Sequence, residues 1–93
     1  MLHAAVLRSP EAHALITSVS TSNAESAPGV VAVFTGADMQ ADGLTAIPHV
    51  ALPSSGLDIS LVNRDGTPPT QAPHFVLPTD RARHVGEAVA LVV

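Results

Sequence analysis

The chain has 93 residues, of which 46% are hydrophobic and 13% charged, and its formal net charge is -4. A chain of this length forms one small domain at most, and its hydrophobic content excludes disorder of the low-hydrophobicity, high-charge kind. Four Arg and no Lys against eight acidic residues argue against a phosphate-binding surface, so we expect no nucleic-acid partner. The absence of Cys excludes disulfides, thiolate catalysis and Cys-based zinc or iron–sulfur ligation within these residues.

The apolar segments are too short for a membrane protein. No run approaches the roughly 20 apolar residues that span a bilayer. At the start, Arg8 and Pro10 interrupt the apolar stretch before the core of a signal peptide could form. We therefore expect no membrane partner and a cytoplasmic location.

The first half of the chain predicts three strands and one short helix. An apolar run over residues 2–8 and a Thr- and Ser-containing run over residues 14–21 have strand composition. Residues 22–29 offer a capping side chain, an acidic residue in the first turn and a Pro-Gly terminator, which predict one or two helical turns. The β-branched run over residues 30–35 is the clearest strand, and residues 36–39 form its exit.

The second half is dominated by an irregular stretch. Residues 42–73 contain five Pro and three Gly, which predicts a long irregular excursion that is either functional or covered by a neighbour. After an apolar stretch at residues 74–77, residues 79–86 read as a polar crossing. Residues 87–93 are almost pure strand formers and predict the last strand. Because such a strand would leave its far end exposed, we expect the domain to continue beyond it.

Histidine and carboxylate supply the candidate reactive groups. Without Cys, a metal cluster would have to use the histidines, and no two of them are three or four residues apart, the spacing of a helical ligand pair. We therefore interpret all five as ordinary surface or core residues. They are His3, His13, His49, His74 and His84. Glu87, beside apolar Val85 and Ala88, invites a general-base hypothesis. We favour the simpler interpretation that its carboxylate holds a turn at the start of a strand.

Other motifs carry less information. Residues 54–56, Ser-Ser-Gly, lack the Gly-x-Ser-x-Gly pattern of a nucleophile elbow. Gly29 and Gly36 flank a strand without the spacing of a nucleotide-binding loop. Arg81 and Arg83 would share one face of a strand, where a solvated pair is the expected structure.

Four blocks of the sequence resemble the opening domain of the large subunits of xanthine dehydrogenase, aldehyde oxidase and aerobic carbon monoxide dehydrogenase. They occur in the family's order and comprise residues 1–10, 12–14, 27–38 and 80–93. The resemblance spans nearly the whole chain and is weakest over residues 44–73. Departures are modest, because members usually carry His at Glu11, Arg near Leu15, Tyr at His84 and Pro at Ala88.

The resemblance implies an α+β fold, the α/β hammerhead, with a small mixed sheet and one short helix. We expect residues 1–93 to be a single partial hammerhead domain, truncated at both ends, with the irregular excursion at residues 42–73. Family members have a further stretch before the first strand and a helix after the last one.

The resemblance also implies a function for the parent protein. Such subunits bind molybdopterin, the molybdenum cofactor, and hydroxylate a carbon next to nitrogen or oxygen, or oxidise carbon monoxide. The glutamate base and the cofactor loops lie in later domains of the family, so we expect no catalytic, cofactor-binding or metal residue in this chain.

The expected partners are the remaining domains of the large subunit and, from the family, iron–sulfur and FAD subunits. The expected role of the segment is structural. Two other hypotheses remain open: a freestanding interaction module built on the Pro-rich excursion, and a small metal-binding protein built on the histidines.

Overall fold

The computed structural model of the chain describes residues 1–48 and 62–93. These residues form a three-stranded sheet, a two-stranded sheet and two short helices, which confirms the predicted fold class. In chain order the elements are β1 (Ala5–Arg8), β2 (Ala14–Leu15), α1 (Ser22–Glu25), β3 (Val33–Thr35), α2 (Gly36–Ala41), β4 (Arg81–Ala82) and β5 (Ala88–Val92).

The last strand, β5, is the centre of the sheet. The strand order is β1-β5-β3, and both pairings are antiparallel. Leu91 lies opposite Val6 of β1 and opposite Phe34 of β3. The uninterrupted run of strand formers fits this central position, because a central strand is flanked on both edges and contacts side chains on both faces. Ala90 in its middle is 3% exposed.

The predicted second strand over residues 14–21 is wrong in extent. Only Ala14 and Leu15 pair with another strand, which is β4. This partner lies within residues 79–86, where the sequence predicted a polar crossing and no strand. One further bond follows, from the Ile16 N–H to the Asp80 carbonyl at 2.9 Å.

A second helix, α2, lies where the sequence predicted only an exit from a strand, so the prediction of one helix is wrong. The Asp38 carboxylate accepts hydrogen bonds from the Thr35 backbone N–H and from the Thr35 hydroxyl, both at 2.7 Å. These bonds join the residue before the helix to its first turn, where a negative charge is favourable. The first helix, α1, is shorter than the predicted stretch of residues 22–29.

The strand predicted over residues 30–35 begins later, at Val33. The N–H groups of Val31 and Ala32 both donate to the Val93 carbonyl, at 2.7 and 3.2 Å. Because two residues share one acceptor, the regular ladder starts only after them.

The core of the described residues is small. The hydrophobic residues buried there are Leu77, Ala82 and Ala90. By contrast, all four residues of β1 are exposed. The sheet therefore presents apolar side chains to solvent at its β1 edge.

The described parts of the Pro- and Gly-rich excursion, residues 42–48 and 62–73, contain no helix or strand. A turn at residues 63–67 is held by Asp65, whose carboxylate accepts bonds from the Thr67 N–H and hydroxyl at 3.0 and 2.7 Å. His49 and the Ser-Ser-Gly motif at residues 54–56 lie outside the described residues. Within the described ranges, neither helix has the length and apolar character needed to cross a membrane.

Candidate functional site

The turn before β5 contains Glu87, which together with Ser9 makes up the buried polar residues of the described part of the chain. Glu87 is 5% exposed, and its carboxylate accepts a hydrogen bond from the backbone N–H of Arg83. The Glu87 N–H donates in turn to the His84 carbonyl at 3.2 Å, and the His84 ring lies 3.8 Å from the same carboxylate oxygen. The carboxylate therefore holds the turn, which is the simpler of the two interpretations drawn from the sequence.

This turn is joined to the end of β1. The Ser9 N–H donates to the Glu87 carbonyl at 2.9 Å, and the Gly86 N–H donates to the Ser9 carbonyl at 2.8 Å. The Arg8 guanidinium donates to the Gly86 carbonyl at 2.8 Å. Gly86 has a φ of 84°, a conformation that glycine adopts without strain. Ser9 is buried because these bonds place it between the strand and the turn.

The two neighbouring arginines do not form a free basic patch. The Arg83 guanidinium donates to both carboxylate oxygens of Asp80, at 3.0 and 3.1 Å, and the Arg81 guanidinium lies 3.6 Å from one of them. Partial desolvation acts to raise the pKa of Asp80. Hydrogen bonds from the Arg81 backbone and the Arg83 side chain outweigh it, so the pKa lies below its ordinary value. Asp80 thus offsets charge that a phosphate ligand would need.

Two histidines that are far apart in sequence line the same cavity in the structure. His74 and His84 line an open cavity of about 310 Å³ with Arg83 and Glu87. Ten residues separate them along the chain, so no short motif could have revealed the cluster. Over residues 1–48 and 62–93, no group of three or more His, Cys, Asp or Glu side chains is arranged to hold a metal ion.

The carboxylate in this cavity has a structural contact. Glu87 uses its Oε2 atom to accept a hydrogen bond from the Arg83 N–H within its own turn. The two histidines that line the cavity, His74 and His84, are both exposed. The general-base hypothesis for Glu87 stays a prediction.

Two cavities border β1. The first, which we call the Leu7 groove, has a volume of about 390 Å³. Its lining combines apolar side chains with one cation and four hydroxyl-bearing residues, namely Leu7, Leu15, Ile16, Val19 and Val89, then Arg8, and Ser9, Thr17, Ser18 and Ser20. The second, which we call the Val6 cavity, has a volume of about 130 Å³ and is lined by Val6, Met39, Val76, Leu77, Ala88 and Leu91.

Gly29 and Gly36, which flank the strand predicted over residues 30–35, both have structural explanations. A Cβ atom at Gly36 would lie 2.6 Å from the Pro78 carbonyl oxygen and 2.8 Å from the Leu77 carbonyl oxygen. Gly29 has a φ of 88°, in a turn. Neither position requires a nucleotide to explain the absence of a side chain.

Comparison with known proteins decides the family. Residues 1–55 match the model of the aldehyde oxidase and xanthine dehydrogenase a/b hammerhead domain. The chain belongs to this family. It is also 37% identical over 92 residues to the nicotine 6-hydroxylase large subunit of Paenarthrobacter nicotinovorans, an alignment that covers 99% of this chain and 10% of that protein. The chain thus spans about a tenth of the length of this relative.

Members of the molybdenum hydroxylase family use molybdopterin, but the described residues of this chain do not fit that group. Its phosphate needs clustered cations or N–H donors. In the Leu7 groove the cation is Arg8, and its guanidinium already donates to the Gly86 carbonyl. The polar residues that also line this groove, Ser9, Thr17, Ser18 and Ser20, carry no positive charge. The cavity beside Glu87 carries a carboxylate, and its Arg83 is paired with Asp80.

Proposed function

We propose that residues 1–93 are a single hammerhead domain of the large subunit of a molybdopterin-dependent hydroxylase, and that their role is structural. The observation that carries the proposal is the alignment of 92 residues with one tenth of a hydroxylase large subunit. Across the described residues, the buried polar groups hold turns, and the large apolar side chains of β1 face outward. Such a segment is suited to packing against other domains of a larger protein.

In this proposal, the residues that catalyse hydroxylation and select the substrate lie in the other nine tenths of the subunit. When bound there, molybdopterin supplies the redox chemistry for hydroxylation, with oxygen from water. The contribution of this chain is to hold the Glu87 turn against β1 and to present apolar surface for the remaining domains to cover. Identity in this segment alone does not fix the substrate, because function depends on the site rather than on the fold.

The proposed partners follow from the family. They are the other domains of the large subunit, an iron–sulfur subunit and an FAD subunit, in a cytoplasmic enzyme. The net charge of -4 is opposite in sign to that of a nucleic-acid-binding surface.

The test is to express the entire reading frame that contains these residues, with its neighbouring genes, and to measure bound molybdenum and pterin. We expect about one molybdenum per large subunit, and hydroxylated product that carries ¹⁸O from labelled water. A frame that does not continue into molybdopterin-binding sequence, together with a metal-free product, would refute the proposal.

The freestanding interaction module predicts a different result. In that case the 93 residues alone would be monomeric and would unfold in one cooperative transition. The exposed apolar edge of β1 instead leads us to expect association of the isolated chain at micromolar concentration.

A further inference from the structure

Two Asp-Gly pairs, Asp42-Gly43 and Asp65-Gly66, lie in the Pro- and Gly-rich excursion. In such a pair the glycine nitrogen can attack the side-chain carboxyl of the preceding aspartate without an enzyme, because glycine has no Cβ atom to obstruct the approach. Both aspartates are exposed, and a Cβ placed on either glycine would meet no atom within 4 Å. Access to the reacting atoms is therefore the same in the two pairs.

The attacking nitrogen is also held in the same way in both pairs. The Gly43 N–H donates to the Gln40 carbonyl at 3.0 Å, and the Gly66 N–H donates to the Asn63 carbonyl at 2.9 Å. The φ angles of the two glycines are 78° and 82°. Each nitrogen must leave one backbone acceptor before it reacts, so the two nucleophiles are matched within one chain.

The carboxyl group of Asp65 is restrained by its neighbour. It accepts hydrogen bonds from the Thr67 hydroxyl at 2.7 Å and from the Thr67 N–H at 3.0 Å. These bonds, the hydroxyl first, lower the pKa of Asp65 because they favour its charged form. A carboxyl loses its oxygen as water only after protonation, so a group held as the carboxylate reacts more slowly.

The carboxyl group of Asp42 lacks this restraint. Within residues 1–48 and 62–93, the aspartate carboxylates that accept hydrogen bonds belong to Asp38, Asp65 and Asp80. Asp42 is not among them. No donor of the described residues therefore has to be released before the Asp42 carboxyl reacts.

We propose that Asp42 is a site of spontaneous isoaspartate formation, and that Thr67 protects Asp65 from the same reaction. The Gly43 nitrogen forms a bond to the Asp42 Cγ atom, its proton and the carboxyl hydroxyl leave as water, and a five-membered succinimide results. Water then adds to the main-chain carbonyl carbon of Asp42, whose bond to the nitrogen breaks. The product is an isomer in which the main chain runs through the Asp42 side chain, and the reaction needs only these residues and water.

The modification would remove the C-terminal cap of α2. Asp42 is the C-cap residue of this helix. The Gly43 N–H bonds the Gln40 carbonyl, and the Leu44 N–H bonds the Met39 carbonyl at 2.9 Å, which is the bond pattern of a Schellman motif. An isoaspartate adds one carbon to the main chain before Gly43, so both bonds lose their register. The last carbonyls of a six-residue helix then lack their partners.

Peptide mapping of the native polypeptide that contains residues 1–93 tests the proposal. The polypeptide is incubated at mildly acidic pH, and electron-transfer fragmentation, which cleaves the Cα–Cβ bond of an isoaspartate, gives the isoaspartate fraction at each position. We expect this fraction to increase several-fold faster at Asp42 than at Asp65. Equal rates, a faster rate at Asp65, or no isoaspartate at Asp42 would overturn the proposal.

Variants of the turn at residues 63–67 test the protective role of Thr67. Thr67→Ala removes the hydroxyl donor and is expected to raise the rate at Asp65 several-fold with no change at Asp42, whereas Thr67→Ser keeps the hydroxyl and should follow the parent. Asn63→Ala is the matched control, because it removes the side-chain bonds from Asn63 to the Thr67 hydroxyl and the Pro68 carbonyl but keeps both donors to Asp65. An Asp65 rate that rises equally in Asn63→Ala and Thr67→Ala, or in neither, would contradict protection by the hydroxyl.

Discussion

The carboxylate of Glu87 accepts a hydrogen bond from the backbone N–H of Arg83 across the turn that leads into β5. Glu87 is 5% exposed, and the same turn is bonded to Ser9 at the end of β1. One buried side chain thus fixes the position from which the central strand begins. Its role is structural and can be tested by stability.

Replacing Glu87 should destabilise the chain. In Glu87→Ala the Arg83 N–H loses its acceptor in a partly buried turn, which costs about 1–3 kcal/mol of the free energy of unfolding. Glu87→Gln keeps an acceptor oxygen and should lose less. Urea titration at a concentration below that at which the isolated chain associates measures both, with the exposed Glu11→Ala as the control, expected within about 0.5 kcal/mol of the parent. A loss for Glu87→Ala no larger than this control would show that the bond is unimportant.

Gly36 should tolerate no larger residue. In Gly36→Ala the new methyl group would meet the Leu77 and Pro78 carbonyls, and forcing such a contact costs about 1–3 kcal/mol. Gly29→Ala provides the comparison, since its Cβ would meet nothing within 4 Å and only its φ of 88° is unfavourable. We expect thermal unfolding to show the larger decrease for Gly36→Ala. Equal decreases would mean that the packing of α2 on Leu77 and Pro78 is loose.

Acid should weaken the fold through its aspartates. Hydrogen bonds from Thr35 lower the pKa of Asp38, those from Thr67 lower the pKa of Asp65, and the pKa of Asp80 is also lowered. A carboxyl whose pKa is lower in the folded state stabilises that state above its unfolded pKa of about 4. That stabilisation is lost as the pH falls through the lowered folded value.

We therefore expect the midpoint of urea unfolding to decrease between pH 5 and pH 3, by less in Asp38→Asn than in the parent chain. Asp42→Asn, next to the end of the same helix, is the matched control and should follow the parent. If the three proteins change identically with pH, the Thr35–Asp38 bonds do not contribute to stability.

Local composition predicted the central elements of the fold but not its short pairings. The β-branched run before Thr35 and the apolar run after Glu87 indicated two strands, and both exist as neighbours in the sheet, β3 at its edge and β5 at its centre. The pairing of β2 with β4 joins segments more than sixty residues apart. No periodicity could reveal it in a polar crossing.

The missed helix illustrates a different limit. Thr35 and Asp38 have the spacing of a helix start, yet Gly36 between them read as the end of a strand. The glycine is there because of a distant contact with Pro78. At the Glu87 turn, a structural role for the carboxylate could be argued from the sequence. That His74 lines the same cavity as Glu87 could be seen only in the folded structure.

The most direct test of the proposed function is the intact mass and molybdenum content of the native polypeptide, captured from its source with an antibody against the Glu87 turn. Since the aligned residues cover 10% of the hydroxylase large subunit, we expect a mass about ten times the 9.5 kDa of these residues, with molybdenum bound. A native polypeptide of 9.5 kDa without molybdenum would contradict the assignment of this chain to a hydroxylase large subunit.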